Sequence, residues 1–542
     1  ASDLLVKCLE NEGVEYVFGV PGEEMMDILD SLSRSSIKFV STRHEQGAAF
    51  MADGYGRLTG RAGVCVSTLG PGAMNLTTAV ADANLDHAPL VAITGQVGLE
   101  SMHKEHHQYI DLVHAFGPIT KWNTRVDTPS IIPEVVRYGF RTAETEKPGA
   151  VHIELPEDVA ELETNGAPLI RRWPELPIVS EGTLHRAAEL INKARHPIVL
   201  VGNGAVRGNA SRSLRKLIDT INLPAATTFM GKGTIPADSE LYAGTIGLQA
   251  HDAVSCGFDR ADLVIAVGYD IVEYPPWRWN PDFDKTIIHI DFVEAEVQQG
   301  YVPEVELIGD IASTIARLQP YLEPRRQADF YRLLRDFVVS ERESHADDAG
   351  SVITPQKIIY EMRRVLESHD ILISDVGAHK LWIARMYPAY EPNTVLISNG
   401  FASMGFAIPA AIAARLVHPE RKVLAACGDG GFLMNVQELE TGHRLGTKVV
   451  YLIFNDNGYG LIKWKQLGRY KSDFGVDFGN PDFVKLAESF GARGYKVKDA
   501  SELRPILEDA FKGDTSAVID VPVDYSENIK LSEKLGQMIC PA

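Results

Sequence analysis

Two stretches of this chain carry residue types and spacing that point directly to chemistry: Gly428-Asp429-Gly430-Gly431 and Asn455-Asp456-Asn457-Gly458. Each follows a short apolar run, Val423 to Cys427 and Val449 to Phe454, that reads as a buried strand. A helical pattern runs from the first turn to about Leu445, with Gly446 as its stop. The two turns therefore leave the ends of two strands in one β-α-β unit. In a parallel sheet, ligands bind at the carboxyl ends of the strands. Glycines let backbone N–H groups approach phosphate oxygens, and a helix N-terminus favours anions. Asp429 and Asp456 are hard oxygen donors suited to magnesium or calcium. Magnesium takes one or two protein carboxylates and completes its shell with phosphate, water and a carbonyl such as that of Gly458. The chemistry expected is a metal–diphosphate site. A lone G-D-G would serve equally well as a plain strand-turn-helix with a solvated aspartate; the second turn decides between the two readings.

Other residues stand out less sharply. Glu45 opens a small-residue helix, Gly47 to Leu58, after the strand Lys38 to Val40, where the helix dipole alone would stabilise a carboxylate. The run His103-Lys104-Glu105-His106-His107-Gln108 is dense in polar groups and also reads as an exposed loop. Met404 suits core filling.

Together these residues resemble the thiamine diphosphate enzymes, and among them the FAD-free, catabolic-type acetolactate synthases. G-D-G, about 24 intervening residues, then N-D-N carries the resemblance, with N-G-F-A-S-M-G-F-A-I-P from Asn399. Where such enzymes commonly end the motif in two asparagines, this chain has Asp456, so its metal pocket holds an extra negative charge. The resemblance implies that Asp429, Asp456 and the Gly458 carbonyl hold Mg2+. It implies cofactor contacts from Pro21, Gly22, Pro71 and Asn75, and from Gly377, Ala378 and His379, the last donating to a phosphate oxygen. It implies further contacts from Ala402, Ser403, Gly428, Gly430, Gly431, Tyr459 and Gly460. Met404 is then the bulky wedge that bends the cofactor, and the Ala402 carbonyl takes a hydrogen from its amine. Glu45 faces the aminopyrimidine ring and exchanges a proton with a ring nitrogen. The cofactor supplies base and electron sink. His107 and Gln108 lie at the reacting end, where Gln108 can bond a developing oxyanion or the acceptor.

The activity implied is condensation of two pyruvates to 2-acetolactate with loss of carbon dioxide. Trp464 falls one position early, with Lys465 at the place expected for a tryptophan, which favours pyruvate as acceptor as well as donor. The alternative is a non-oxidative 2-oxoacid decarboxylase releasing an aldehyde, for which Glu23 and His106-His107 speak. A catalytically silent thiamine-binding protein would have no use for a proton relay at Glu45. FAD is not expected. Gly202-Asn203-Gly204 is followed by Gly208, one residue late for G-x-G-x-x-G, and Gly268 to Tyr274 lacks the arginine-bearing look of FAD binders. The resemblance places Glu45 and the metal motif of one site on two subunits, implying a homodimer at least, and a homotetramer built from two dimers.

These residues need a scaffold. The 542 residues suggest three domains. Alternating short apolar runs and helical patterns imply an α/β protein of three doubly wound parallel sheets. The expected divisions are a pyrimidine-binding domain over 1–165, a Rossmann-like middle domain over 182–334, and a diphosphate- and metal-binding domain over 353–530. A linker of about Glu161 to Glu181 separates the first two. A net charge of −20 argues against nucleic acid or anionic membrane as partner. The most apolar stretch, Phe401 to Leu416, is too short to span a bilayer and contains Pro409. The five cysteines show no zinc spacing and read as buried thiols of a reducing, cytoplasmic compartment. No signal-peptide pattern is read at the start.

Overall fold

The computed structural model describes residues 1–173, 175–248, 253–325 and 329–531. They build three six-stranded sheets, every pairing parallel. The first comprises β1 (Tyr16–Gly19), β2 (Lys38–Ser41), β3 (Gly63–Ser67), β4 (Leu90–Gln96), β5 (Trp122–Arg125) and β6 (Ala150–Pro156), in the order 2-1-3-4-6-5. The middle sheet holds β7 (Pro197–Val201), β8 (Ala225–Thr227), β9 (Tyr242–Thr245), β10 (Leu263–Val267), β11 (Thr286–Asp291) and β12 (Val305–Ile308), ordered 12-11-10-7-8-9. The third holds β13 (Ile371–Ser374), β14 (Val395–Ile397), β15 (Val423–Gly428), β16 (Val450–Asn455), β17 (Arg493–Lys496) and β18 (Ala517–Pro522). Its order, 14-13-15-16-18-17, repeats that of the first sheet. Central strands such as Leu263–Val267 are buried throughout because helices cover both faces, so they read as unbroken apolar runs. Residues 162–173 and 175–180, between the first and middle sheets, form no regular element.

The first and third units share one hydrophobic core. Its centre is a crossing of the helices Glu45–Thr59 and Ala407–Val417. Gly54 permits the close approach: a side chain there would meet Ala410 Cα at 3.0 Å. Phe50 packs edge-on against Phe406 at 5.7 Å, both fully buried, each contributing about 1.5–3 kcal/mol.

Two expectations need correction. The helix after the glycine turn is two helices, Asp429–Met434 and Glu438–Arg444, because Asn435 leaves helical geometry and its side chain donates to the Gly405 carbonyl at 2.8 Å. Gly446 does follow the second, at φ +65°. Cys8, Cys65 and Cys427 are buried thiols, but Cys256 is disulfide-bonded, so the reading of five thiols fails there. Cys540 lies outside the described residues. In the middle unit Trp279 is core, packed on Tyr269 and Tyr301, whereas Trp277 is exposed. Among the described residues no helix is long and apolar enough to cross a membrane.

Candidate active site

Four turns converge at the carboxyl ends of β13, β14, β15 and β16. They bring Gly377, Ala378 and His379, then Ala402 and Met404, then Gly428 to Gly431, then Asp456, Gly458, Tyr459 and Gly460 around one cavity of about 170 Å³. Val376, Phe454, Leu461, Ile462 and Tyr525 complete its wall. Larger open clefts of about 600 and 610 Å³ lie beside the helices Ser2–Glu12 and Pro355–Val365, but neither contains a glycine turn with paired carboxylates.

Asp429 is the first residue of its helix and 1% exposed. Its Oδ1 accepts from the Gly430 N–H at 2.8 Å and its Oδ2 from Asn480 Nδ2 at 2.7 Å. Burial pushes its pKa up, against those hydrogen bonds and others from the Asn457 and Gly458 N–H groups. Burial and then the neighbouring charge of Asp429 push Asp456 up to about 7. Two carboxylates lining one cavity, both raised by burial and one raised further by the charge of the other, suit a cation between them. Among the described residues no three His, Cys, Asp or Glu side chains gather to hold a metal alone. The remaining oxygens must then come from backbone or ligand, as for magnesium on a phosphate group. His379 is buried, stacked on Phe454 at 5.3 Å, and held neutral by burial, which lowers its pKa to about 3. Its Nε2 has no hydrogen-bond partner, an uncommon state for a buried ring nitrogen. A side chain on Gly430 would meet Tyr459 at 3.0 Å, so the turn backbone itself faces the space. Glycine cradle, orphan imidazole and paired carboxylates fit a metal-bound diphosphate.

Ser403 does not line the cavity; it is buried behind it, its N–H donating to Ser398 Oγ at 2.9 Å. Ala402 holds φ +58°, which a non-glycine residue adopts only when its surroundings enforce it.

The remaining candidates form a second group, at the carboxyl ends of β1, β2 and β3. Glu45, 9% exposed, begins its helix and accepts from Asn75 Nδ2 at 2.9 Å. Gly22, after Pro21, lies against Thr68, whose hydroxyl donates to Glu24 rather than Glu23. A side chain on Gly72, next to Pro71, would come 3.2 Å from Glu45 Oε1. Gln108, at φ +57°, lies against Gly70, where a side chain would meet the Gln108 carbonyl oxygen at 2.5 Å. His107 and Gln108 are exposed. None of this group lines the third-sheet cavity, so the candidates fall into two separate groups in one chain.

Sequence reading missed residues that support these halves. Asn480 binds Asp429, Asn455 Oδ1 at 3.1 Å and Asn457 Oδ1 at 3.3 Å. Buried Asp375 accepts from the Val376 and Gly405 N–H groups. Glu438, fully buried, accepts from the Arg43 and His44 N–H groups just before Glu45. No motif marks Asn480 or Glu438; Asp375 ends a recognisable strand.

Comparison with known proteins agrees with this geometry. The chain matches the family descriptions of the thiamine pyrophosphate enzyme N-terminal TPP binding domain over residues 1–115, the central domain over 184–318, and the C-terminal TPP binding domain over 375–521. It is 38% identical to an acetolactate synthase of Bacillus subtilis (strain 168), covering 98% of this chain and 95% of that one. It is 37% identical to a catabolic acetolactate synthase of Raoultella terrigena, over 99% and 97%. To the acetolactate synthase isozyme 1 large subunit of Escherichia coli (strain K12) it is 32% identical, over 97% and 94%. Similarity that runs end to end, across three domains matching the three parallel sheets, places this enzyme in the thiamine diphosphate-dependent acetolactate synthase family.

Proposed function

We propose that the chain joins two pyruvates into 2-acetolactate, taking up one proton and releasing one carbon dioxide, with Mg2+ and thiamine diphosphate and without FAD. The observation that carries the reading is the cavity that sets Asp429 and Asp456 beside the orphan His379 Nε2 at the strand ends of the third sheet. Asp429, Asp456 and the Gly458 carbonyl would hold the metal. His379 would donate Nε2–H to a phosphate oxygen, its pKa raised by the dianion it meets. Bound thiamine diphosphate supplies the carbon nucleophile and the electron sink. Met404 and the Ala402 carbonyl shape and hold the ring end, and Glu45 shares a proton with a ring nitrogen. Gln108 and His107 orient donor and acceptor.

The middle sheet supports the FAD-free reading. Its order is that of a dinucleotide-binding fold, whose crevice opens where β7 and β10 adjoin. Here the two turns close on each other. The Gly202 N–H donates to Val267 O at 2.9 Å and the Gly204 N–H to Gly268 O at 2.8 Å, while Arg207 and Asp270 pair across the gap at 2.8 Å. Similarity to a catabolic acetolactate synthase supports 2-acetolactate as the product.

Two groups of site residues held apart in one chain support a homodimer, with the homotetramer as two such pairs. The test is incubation with pyruvate, Mg2+ and thiamine diphosphate without FAD, followed by NMR. Acetolactate is expected; acetaldehyde as main product would overturn the reading.

A further inference from the structure

The turn after β14 that carries Ala402 and Met404 is held by its own unit, through Asp375, Asn435 and Lys380, and on its entering side by the first unit as well. Ser398, fully buried, donates its hydroxyl hydrogen to Asp82 Oδ1 at 2.6 Å and accepts the Ser403 N–H at 2.9 Å. Asp86 accepts the Asn399 N–H at 3.0 Å and the Gly400 N–H at 2.5 Å. Arg57 donates to the Ile397 carbonyl at 3.0 Å, and to Asp82 and Asp86 at 2.9 Å each. These three side chains are at most 4% exposed, so the contacts are poorly screened. Backbone groups from Ile397 to Gly400 are thus tied to helices of the first unit. The chain of bonds ends at Ser403, between Ala402 in the left-handed region and Met404 in the cavity wall.

We propose that Ser398 is a positioning residue for the cofactor: Asp82 orients its hydroxyl, and its lone pair on the Ser403 N–H holds Ala402 and Met404 in the geometry that receives the ring end. This rests on the assignment of Met404 and Ala402 to the cofactor. Strain at Ala402 persists only while something enforces it; Asp375 and Asn435 fix the far side of the turn at Gly405, and the Asp82–Ser398–Ser403 chain fixes the residue next to Ala402. Without the hydroxyl, Asp82 Oδ1 loses a donor and the Ser403 N–H loses its acceptor, both in a dry interface.

The test measures binding of thiamine diphosphate with Mg2+ by calorimetry, alongside kcat and the KM for pyruvate. Ser398→Ala is expected to weaken cofactor binding on the order of tenfold and to lower kcat, with little change in the KM for pyruvate. Ser398→Thr keeps the hydroxyl and is expected to restore binding to within about twofold. Wild-type cofactor affinity in Ser398→Ala, or equal losses in the Ala and Thr variants, would overturn the proposal. Should Ser398→Ala fail to fold, Asp82→Asn, which keeps the shape but weakens the acceptor, is expected to show a smaller loss in the same direction; unchanged binding would overturn it. Met404→Ala in parallel separates the two levels. If it leaves cofactor binding and turnover unchanged, the assignment of the wedge fails; if it impairs them while Ser398→Ala does not, only the positioning role fails.

Discussion

Asp456 stands where an asparagine would cost nothing electrostatically, and the protein keeps a charge there. Its pKa is raised to about 7 by burial and by Asp429, so in the folded, metal-free chain it holds its proton far above the ordinary carboxylate range. A carboxyl raised on folding stabilises fully below its unfolded pKa, near 4, and that stability is lost as pH climbs through the folded value. Asp456→Asn removes this loss. Thermal unfolding of metal-free protein should show the variant gaining on wild type between pH 5 and pH 8, and a gain that does not grow with pH would remove the charge-repulsion argument. Glu45 makes a different prediction, because Asn75 is a partner that glutamine keeps. Glu45→Gln should bind cofactor nearly as wild type and lose roughly 10²-fold or more in turnover, as loss of a proton-transfer group commonly does. Calorimetry and acetolactate formation separate the two effects, and wild-type turnover would sink the relay.

Elements, rather than single groups, decide how the first and third units lock. At the crossing of Glu45–Thr59 with Ala407–Val417, Gly54 has no room for a side chain over Ala410. Gly54→Leu should cost about 1–3 kcal/mol by overpacking, visible as a lower urea midpoint, and should shift the start of the Glu45 helix. An unchanged midpoint would mean that the crossing is not a tight one. The same scale explains what could be read without coordinates. Buried central strands such as β10 and β13 were legible because both faces are covered and the run stays apolar. β5, Trp122–Arg125, is a half-buried edge strand with polar residues and sends no such signal. β18 hides its pattern behind Asp520, which is there to accept Asn455 Nδ2 at 2.7 Å. The glycine turns and their aspartates were legible because ligand chemistry restricts residue type at short spacing. Asn480 and Glu438 were not, since each acts through a contact whose partner lies far away in sequence. The break at Asn435 escaped for the same reason: its partner is the Gly405 carbonyl, 30 residues earlier.

At the scale of the whole molecule, the first and third sheets repeat one strand order, and each ends in its own group of candidate residues. One carries Glu45, the other the metal carboxylates, and Glu45 does not reach the third-sheet cavity of its own chain. Buried Glu438 and the Arg57 cluster bind those two units together, so the halves cannot simply hinge onto each other. The proposed twofold dimer would bring them together, each chain lending its Glu45 group to the Asp429–Asp456 group of its partner. This arrangement makes a test that activity alone cannot mimic. Glu45→Gln and Asp429→Ala should each be nearly inactive by itself. After unfolding and refolding as an equal mixture, about half the dimers are mixed, and each mixed dimer pairs an intact Glu45 with an intact Asp429 in one of its two sites. Activity should then return to about a quarter of wild type. If each site were built within one chain, every site in the mixture would carry a defect and no activity would return. The refolded mixture therefore reports where the two halves meet, independently of how much either residue contributes to the chemistry.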